Sequence, residues 1–255
     1  MTLTQINQFF NNILKKENYS FDPSRNGIQI QNSSPDSKEI KKVAFAVDAC
    51  EATAKLAAEQ GADLLFCHHG IFWDNSITLT ESMYKRVKPF FDNDLALCAY
   101  HIPLDANDTV GNNIGLCKMM NLKNIKHFGQ WRGMDIGYYG TLEKELSVDE
   151  CIKLVLPEGQ KPNVVLKFGK EKIKTVGIIS GGAGSDLDQA WRCGCDLYIT
   201  GEIGHENFHT AKELGINAVA CGHYNTETVG PKLMMKKLSE ETGIQTVFID
   251  CPTGL

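Results

Sequence analysis

Two of the seven histidines, His68 and His69, stand side by side directly after the apolar run from Ala62 to Cys67, where a buried strand runs out. Two more follow similar apolar runs, and each has a carboxylate four residues on: His101/Asp105 in YHIPLD and His223/Glu227 in GHYNTE. Three strand ends of this kind can bring four imidazoles and two carboxylates to one place. That donor set suits a pair of borderline divalent cations better than a single ion.

Chance competes with this reading. With 31 acidic residues and seven histidines, composition alone yields about one H-x-x-x-D/E pair. A third pair, His209/Glu213, lies inside a predicted helix and reads as an exposed i,i+4 contact. The other two differ because they begin at strand ends. Pro103 predicts that His101–Asp105 is a loop rather than a regular helix. His223 and Glu227 point to one side of an incipient helix, with Gly222 allowing a tight exit from the strand. Adjacent His68 and His69 can face one site only if the chain turns, as Gly70 permits.

Other residues have two readings. Glu202 and His205 follow a strand and serve either as proton-transfer groups or as solvent-facing residues of a first helical turn. Gly181-Gly182-Ala183-Gly184 is either a phosphate cradle or, preferably, a plain strand-to-helix turn, since it lacks the Lys-Ser/Thr of a P-loop. Trp73 and Tyr224 either stack on a planar substrate or form wall packing.

The elements that must position these groups alternate. Strands over Val43–Val47, Asp63–Cys67 and Leu95–Tyr100 are separated by helices over Cys50–Gln60 and Met83–Asn93, and a helix over Asn112–Met120 follows. This alternation predicts an α/β fold with a mainly parallel sheet, whose ligands collect beyond the carboxyl ends of the strands. Lys123–Gly133 is polar and interrupted, and Met134–Leu142 resumes as a strand. Ser147 and Glu150 form a capping box for a helix over Val148–Leu156. Strands Asn163–Phe168, Lys174–Ile179, Asp196–Thr200 and Ile216–Cys221 alternate with helices Ser185–Cys193 and His205–Leu214. Helix Thr226–Thr242 and strand Gln245–Ile249 follow. The two halves look like similar α/β units. If His223/Glu227 is to meet His68/His69, residues 1–128 and 221–255 form a metal-binding lobe, and 129–220 form a second lobe inserted into it.

The formal charge of −5 and pI near 5.8 argue against a nucleic-acid or membrane surface. There is no signal-peptide core and no run near the length of a spanning helix, so a soluble cytoplasmic protein is expected. Nine cysteines without a C-x-x-C pair read as reduced, mostly core thiols.

CHHGIFW, YHIPLDAND followed by GNNIGL, TGEIGHENFHTAKELGI, and GHYNTETVG followed by VFIDCP resemble the Nif-three-like proteins, often named GTP cyclohydrolase 1 type 2 homologues. NGIQI at Asn26–Ile30 is similar to that family's N-terminal signature, and the chain has room only for the short, YbgI-like form. The resemblance implies two interlinked α/β lobes with mainly parallel sheets, a dinuclear metal centre and a toroidal homohexamer. It implies His68, His69, Asp105, His223 and Glu227 as metal ligands, with Glu227 bridging and His101 as ligand or neighbour. Thr228 stands where some relatives have an arginine, so no substrate contact is carried over to that position.

Two functions fit. In a metal-dependent hydrolase, two ions activate a shared water. For GTP it would attack C8 of the purine and open the imidazole ring with loss of formate, with Glu202 or His205 carrying the proton. Phosphoester or amide hydrolysis would use the same groups. The alternative is a metal-braced scaffold or regulatory protein. The hydrolase is the preferred reading. Imidazole-rich ligation favours zinc, iron, manganese, nickel or cobalt over magnesium.

Overall fold

Runs of small and branched apolar residues make the central strands, because a strand covered on both faces has no polar side to show. In the computed structural model, which describes residues 1–255, the elements begin with α1 (Leu3–Leu14), β1 (Gly27–Ile30), β2 (Lys42–Asp48) and α2 (Glu51–Glu59). Next come β3 (Leu64–His69), α3 (Glu81–Asp92), β4 (Ala96–Ala99) and α4 (Ile102–Asp105). They continue with α5 (Asn112–Met119), β5 (Lys123–Trp131), β6 (Met134–Leu146), α6 (Val148–Val155), β7 (Val164–Lys167) and β8 (Ile173–Ile178). Then follow α7 (Leu187–Arg192), β9 (Leu197–Thr200), α8 (Asn207–Leu214), β10 (Asn217–Ala220) and α9 (His223–Glu227), and finally α10 (Val229–Thr242) and β11 (Gln245–Phe248). No helix is long and apolar enough to cross a membrane.

The chain divides into two units. The first comprises Met1–Asn107 and Gly230–Cys251, the second Asp108–Val229 and Pro252–Leu255. The first sheet has the order β1-β4-β3-β2-β11 and is parallel except for β1 against β4. On one face Phe10 of α1 packs edge-on against Phe45, Phe66 and Tyr100. Ala44, Leu65 and Leu97 point to the other side, into a core with Ala54 and Ala57 of α2 and Phe90 of α3.

The second sheet has the order β5-β6-β8-β9-β10-β7 and is mixed, with β8-β9-β10 parallel and the remaining pairs antiparallel. Its core joins Leu116 and Cys117 of α5, Cys151 and Val155 of α6, and Val176, Leu197 and Val219 of the strands. Ser147 and Glu150 form the expected capping box.

Several expectations need correction. Lys123–Trp131 is a strand, not an interrupted segment. It is an edge strand with only Phe128 and Gly129 buried, so it shows no continuous apolar run. His101–Asp105 is not a loop, since Ile102–Asp105 forms one helical turn. Pro103 sits in its first turn, where the missing N–H costs nothing. His223–Glu227 is a short helix of its own ahead of α10. The boundary also differs from 1–128 plus 221–255 against 129–220. Residues 108–128 and 221–229 group with the second unit, because β5 pairs with β6 and β10 is held between β9 and β7.

The two parallel cores are tied off alike. Asp63, in Gly61-Ala62-Asp63-Leu64, accepts the N–H groups of Lys41 and Lys42. Asp196, in Gly194-Cys195-Asp196-Leu197, accepts those of Lys174 and Thr175 and also the Lys170 ammonium. Burial works to raise the Asp196 pKa, but Lys170 and the two backbone donors outweigh it and hold it below the usual range. Such a group stabilises the fold above its unfolded pKa, and that contribution is lost as pH falls through the depressed folded value. Asp196→Ala is expected to cost about 1–3 kcal/mol near neutrality in urea unfolding. The gap between wild type and variant should narrow below the normal carboxylate range; a gap unchanged by acid would contradict the assignment.

Candidate metal centre

In the first unit the parallel register sets Asp48 beside His69, and the Asp48 carboxylate lies 2.9 Å from His69 Nδ1. His68 is fully buried, with Nδ1 3.1 Å from the Tyr100 carbonyl. His101 follows β4, its Nδ1 2.9 Å from Asp22 Oδ1. Each partner is a carbonyl or carboxylate, which can only accept. In the neutral ring the proton must therefore sit on Nδ1, leaving Nε2 with a lone pair for a cation. Such partners orient metal-binding histidines and fix their tautomer.

The three rings converge. Ligand nitrogens of His68, His69 and His101 lie within 4.8 Å of one another. Asp105, on the turn of α4, brings Oδ2 to 3.5 Å from His68 Nε2. Gly70 makes the exit possible, since an added Cβ would fall 2.3 Å from the Gln29 side chain. Gln29 Oε1 accepts the N–H groups of Ile71 and Phe72 and so fixes the chain beyond.

Asp22 is a carboxylate with several partners. Besides His101 it accepts the N–H groups of Ser24 and Ile102 and the Asn26 amide. Burial alone would raise its pKa, but His101, Asn26 and Ser24 together hold it below the ordinary value. Neither Asp22 nor Asp48 emerged from the sequence as a site residue. Asp48, at the end of a predicted strand and level with the histidine pair, carried a signal. Asp22, in an irregular segment, carried only its closeness to NGIQI.

The second unit presents His223 and Glu227. Their i,i+4 spacing on α9 sets His223 Nε2 3.1 Å from Glu227 Oε2, and Glu227 is only 3% exposed. His223 Nδ1 lies 2.5 Å from Glu202. Gly181, at φ +66°, closes over the pair: a Cβ there would stand 2.2 Å from Glu227 Oε1. The Gly181 N–H donates to Thr226, and its carbonyl accepts from Gly201 and Glu202. The glycine-rich segment is thus a turn that seats Glu227.

Charge follows from this geometry. Burial works to lower the His223 pKa, but Glu227 and Glu202 outweigh it and push it up to about 9. His205 is exposed, and Glu202 is the member of the expected proton-transfer pair that lies against this histidine. His209 is exposed, beside the Phe208 ring. Trp73 meets the His101 ring edge-on at 5.0 Å and donates its N–H to the Gly70 carbonyl. Tyr224 is buried wall.

Comparisons with known proteins agree across the whole chain. Residues 1–253 match the family Duf34/NIF3 (NGG1p interacting factor 3). A GTP cyclohydrolase 1 type 2 homolog of Treponema pallidum is 38% identical, and one from Pyrococcus abyssi is also 38% identical, each with both chains fully covered. Among solved structures, the protein ybgI, of unknown function, superposes with a TM-score of 0.89 at 30% identity, with both chains fully covered. A Thermus thermophilus protein gives 0.88 at 31%, also over all of both chains. Reduced HcgD from Methanocaldococcus jannaschii gives 0.84 at 26%, covering 98% of each chain.

In metal-free protein the His223 imidazole should titrate near pH 9 by NMR. Its ion pairs stabilise the fold below the unfolded histidine pKa of about 6.5, and that contribution fades as pH rises through the folded value. Glu202→Gln should move the midpoint down towards the unperturbed range; a midpoint unmoved by the substitution would contradict the role given to Glu202.

Proposed function

This chain belongs to the Duf34/NIF3 family, and we propose that it is a two-metal hydrolase of the GTP cyclohydrolase 1 type 2 kind. The proposal joins His68, His69, His101 and Asp105 of the first unit with His223 and Glu227 of the second in one dinuclear centre. The observation that carries it is the set of acceptors on the histidines. Tyr100, Asp48 and Asp22 each engage an Nδ1, so those three imidazoles can offer Nε2, while His223 has a carboxylate at each nitrogen, Glu202 at Nδ1 and Glu227 at Nε2, and can offer Nε2 once it gives up its proton. The donors are nitrogen and oxygen only, which suits zinc, iron, manganese, nickel or cobalt. When bound, two such ions supply Lewis acidity and make a water nucleophilic near neutral pH.

The protein's own residues do the rest. Asp22, Asp48 and Tyr100 hold three rings still, so little reorganisation is needed when a cation is bound. Glu227, buried against Gly181, is the carboxylate to which this reading assigns the bridging role. Glu202 has an exposed side chain and touches His223 Nδ1, so it can pass a proton between that ring and solvent. His205 is retained only as a residue to be tested. The name borne by the relatives supports GTP as the first substrate to try, with formate release as the assay. The ring-shaped homohexamer and the cytoplasmic location belong to the same reading.

Purified protein should carry two divalent ions per chain by elemental analysis. Glu227→Gln should lose at least one, and Glu213→Gln, in the pair His209/Glu213, should lose none. Equal metal content in these variants would contradict the ligand assignment.

Removing the acceptors tests the orientation argument separately. Asp22→Ala and Asp48→Ala should each weaken metal affinity by about 10–100-fold. Turnover should vanish with chelator and return with added metal. Retention of both ions with no turnover of nucleotides or phosphoesters under any metal would overturn the hydrolase in favour of a scaffold.

A further inference from the structure

The segment Asn26-Gly27-Ile28-Gln29 leads into β1, an edge strand that carries none of the histidines, yet its two amide side chains reach the chain on either side of the histidine cluster. β1 runs antiparallel to β4 with Gly27 level with Ala99, so Asn26 arrives where the chain leaves β4 for His101. Asn26 Oδ1 accepts the His101 N–H at 2.8 Å, and Asn26 Nδ2 donates to Asp22 Oδ2 at 2.8 Å. Asp22 Oδ1 in turn lies 2.9 Å from His101 Nδ1. One amide therefore holds His101 twice, at its backbone and through the carboxylate on its ring. The glycine that follows is required: at φ +114° its added Cβ would stand 2.8 Å from Lys16 Nζ, which donates to the Asn26 carbonyl.

Gln29 does the same for the chain that leaves His69. Its Oε1 accepts the N–H groups of Ile71 and Phe72 at 2.7 and 3.0 Å, and its Nε2 donates to the carbonyls of Arg25 and Phe72 at 3.0 and 3.1 Å. A primary amide has two N–H groups and two lone pairs, and Gln29 uses all four. The Phe72 carbonyl also accepts the Arg25 N–H, and Ser24 pairs with Trp73 in an isolated bridge. Both amides must donate and accept at once. A carboxylate would keep the acceptor and lose the donor, and an aliphatic side chain would lose both.

We propose that Asn26 and Gln29 are positioning residues of the histidine cluster: two amides on one strand that hold His101 with Asp22, and the exit from His69, ready for a divalent cation. Neither touches the imidazole nitrogens that face the cation. Each acts through another group, Asn26 through Asp22 and the His101 backbone, Gln29 through Ile71 and Phe72. A ring whose supports are lost samples other orientations and the other tautomer, and the cation then has to order it on binding. The consequence for cation affinity rests on the metal reading above; the hold on the rings does not.

The test uses full-length protein and the near-isosteric variants Asn26→Asp and Gln29→Glu, which remove only the donors. Nitrogen NMR of the metal-free protein should show the His101 ring signals moved in Asn26→Asp and those of His69 moved in Gln29→Glu, with the His223 ring unchanged in both. Zinc affinity, measured by competition with a chromophoric chelator, should fall about 10–100-fold in each variant. Asn26→Ala added to Asp22→Ala should weaken zinc by no more than about two-fold beyond Asp22→Ala alone, because residues that act through one contact are not additive. A purely structural role predicts something else: a lower unfolding midpoint with unmoved ring signals, unchanged zinc affinity and losses that multiply in the double variant. That result would overturn the proposal. Wild-type protein that binds no zinc would overturn the metal reading, and the ring signals of the metal-free protein would still decide whether the two amides hold His101 and His69.

Discussion

A proton held on Nδ1 is the constraint on which the rest of the site depends. Imidazole offers a cation only one nitrogen at a time, and which one is decided by what the other ring nitrogen touches. At His68 the partner is the Tyr100 carbonyl, at His69 it is Asp48, at His101 it is Asp22, and at His223 it is Glu202. None of these can donate a hydrogen bond when the carboxylates are ionised. At His68, His69 and His101 the choice is thus made by the fold rather than by any ion, whereas His223 has a carboxylate at each ring nitrogen. Tyr100 illustrates how far this reaches: its ring is buried against Phe66, and its hydroxyl bonds to Asn7 and Asn11 of α1. The first helix of the chain thereby fixes the carbonyl that fixes His68.

The same solution occurs twice. In each unit three parallel strands run in one order, β4-β3-β2 and β10-β9-β8, and an aspartate before the middle strand ties off the start of the preceding one. After the third strand of each comes a histidine with a carboxylate four residues on. The middle strand differs: β3 ends in two histidines, whereas Glu202 follows β9 and serves as the partner of His223. Asymmetry at one strand end turns a repeated frame into two different sets of donors.

Much of this was legible in the sequence. Short apolar runs gave away the central strands, and strand-end histidines with a carboxylate at i+4 were separable from His209/Glu213 because that pair lies within a helix. What escaped detection lacked a pattern. β5 is an edge strand with polar faces, and the turn of α4 is too short to show a period. Asp22 acts through contacts to Ser24, Asn26, His101 and Ile102, some of them nearly eighty residues away. The expected lobes, 1–128 plus 221–255 and 129–220, followed from bringing His223/Glu227 to His68/His69. Strand pairing instead puts β10, and with it His223 and Glu227, in the second unit.

The central claim is that four histidines present Nε2 to cations because their Nδ1 atoms are already engaged. Diffraction from metal-loaded crystals, measured on both sides of the metal's absorption edge, tests it most directly. Two anomalous peaks per chain are predicted, with Nε2 of His68, His69 and His223 at about 2.0–2.2 Å from an ion and every Nδ1 still on its protein partner. Ions ligated through Nδ1, with Asp48, Asp22 or Glu202 turned away from the rings, would contradict the account.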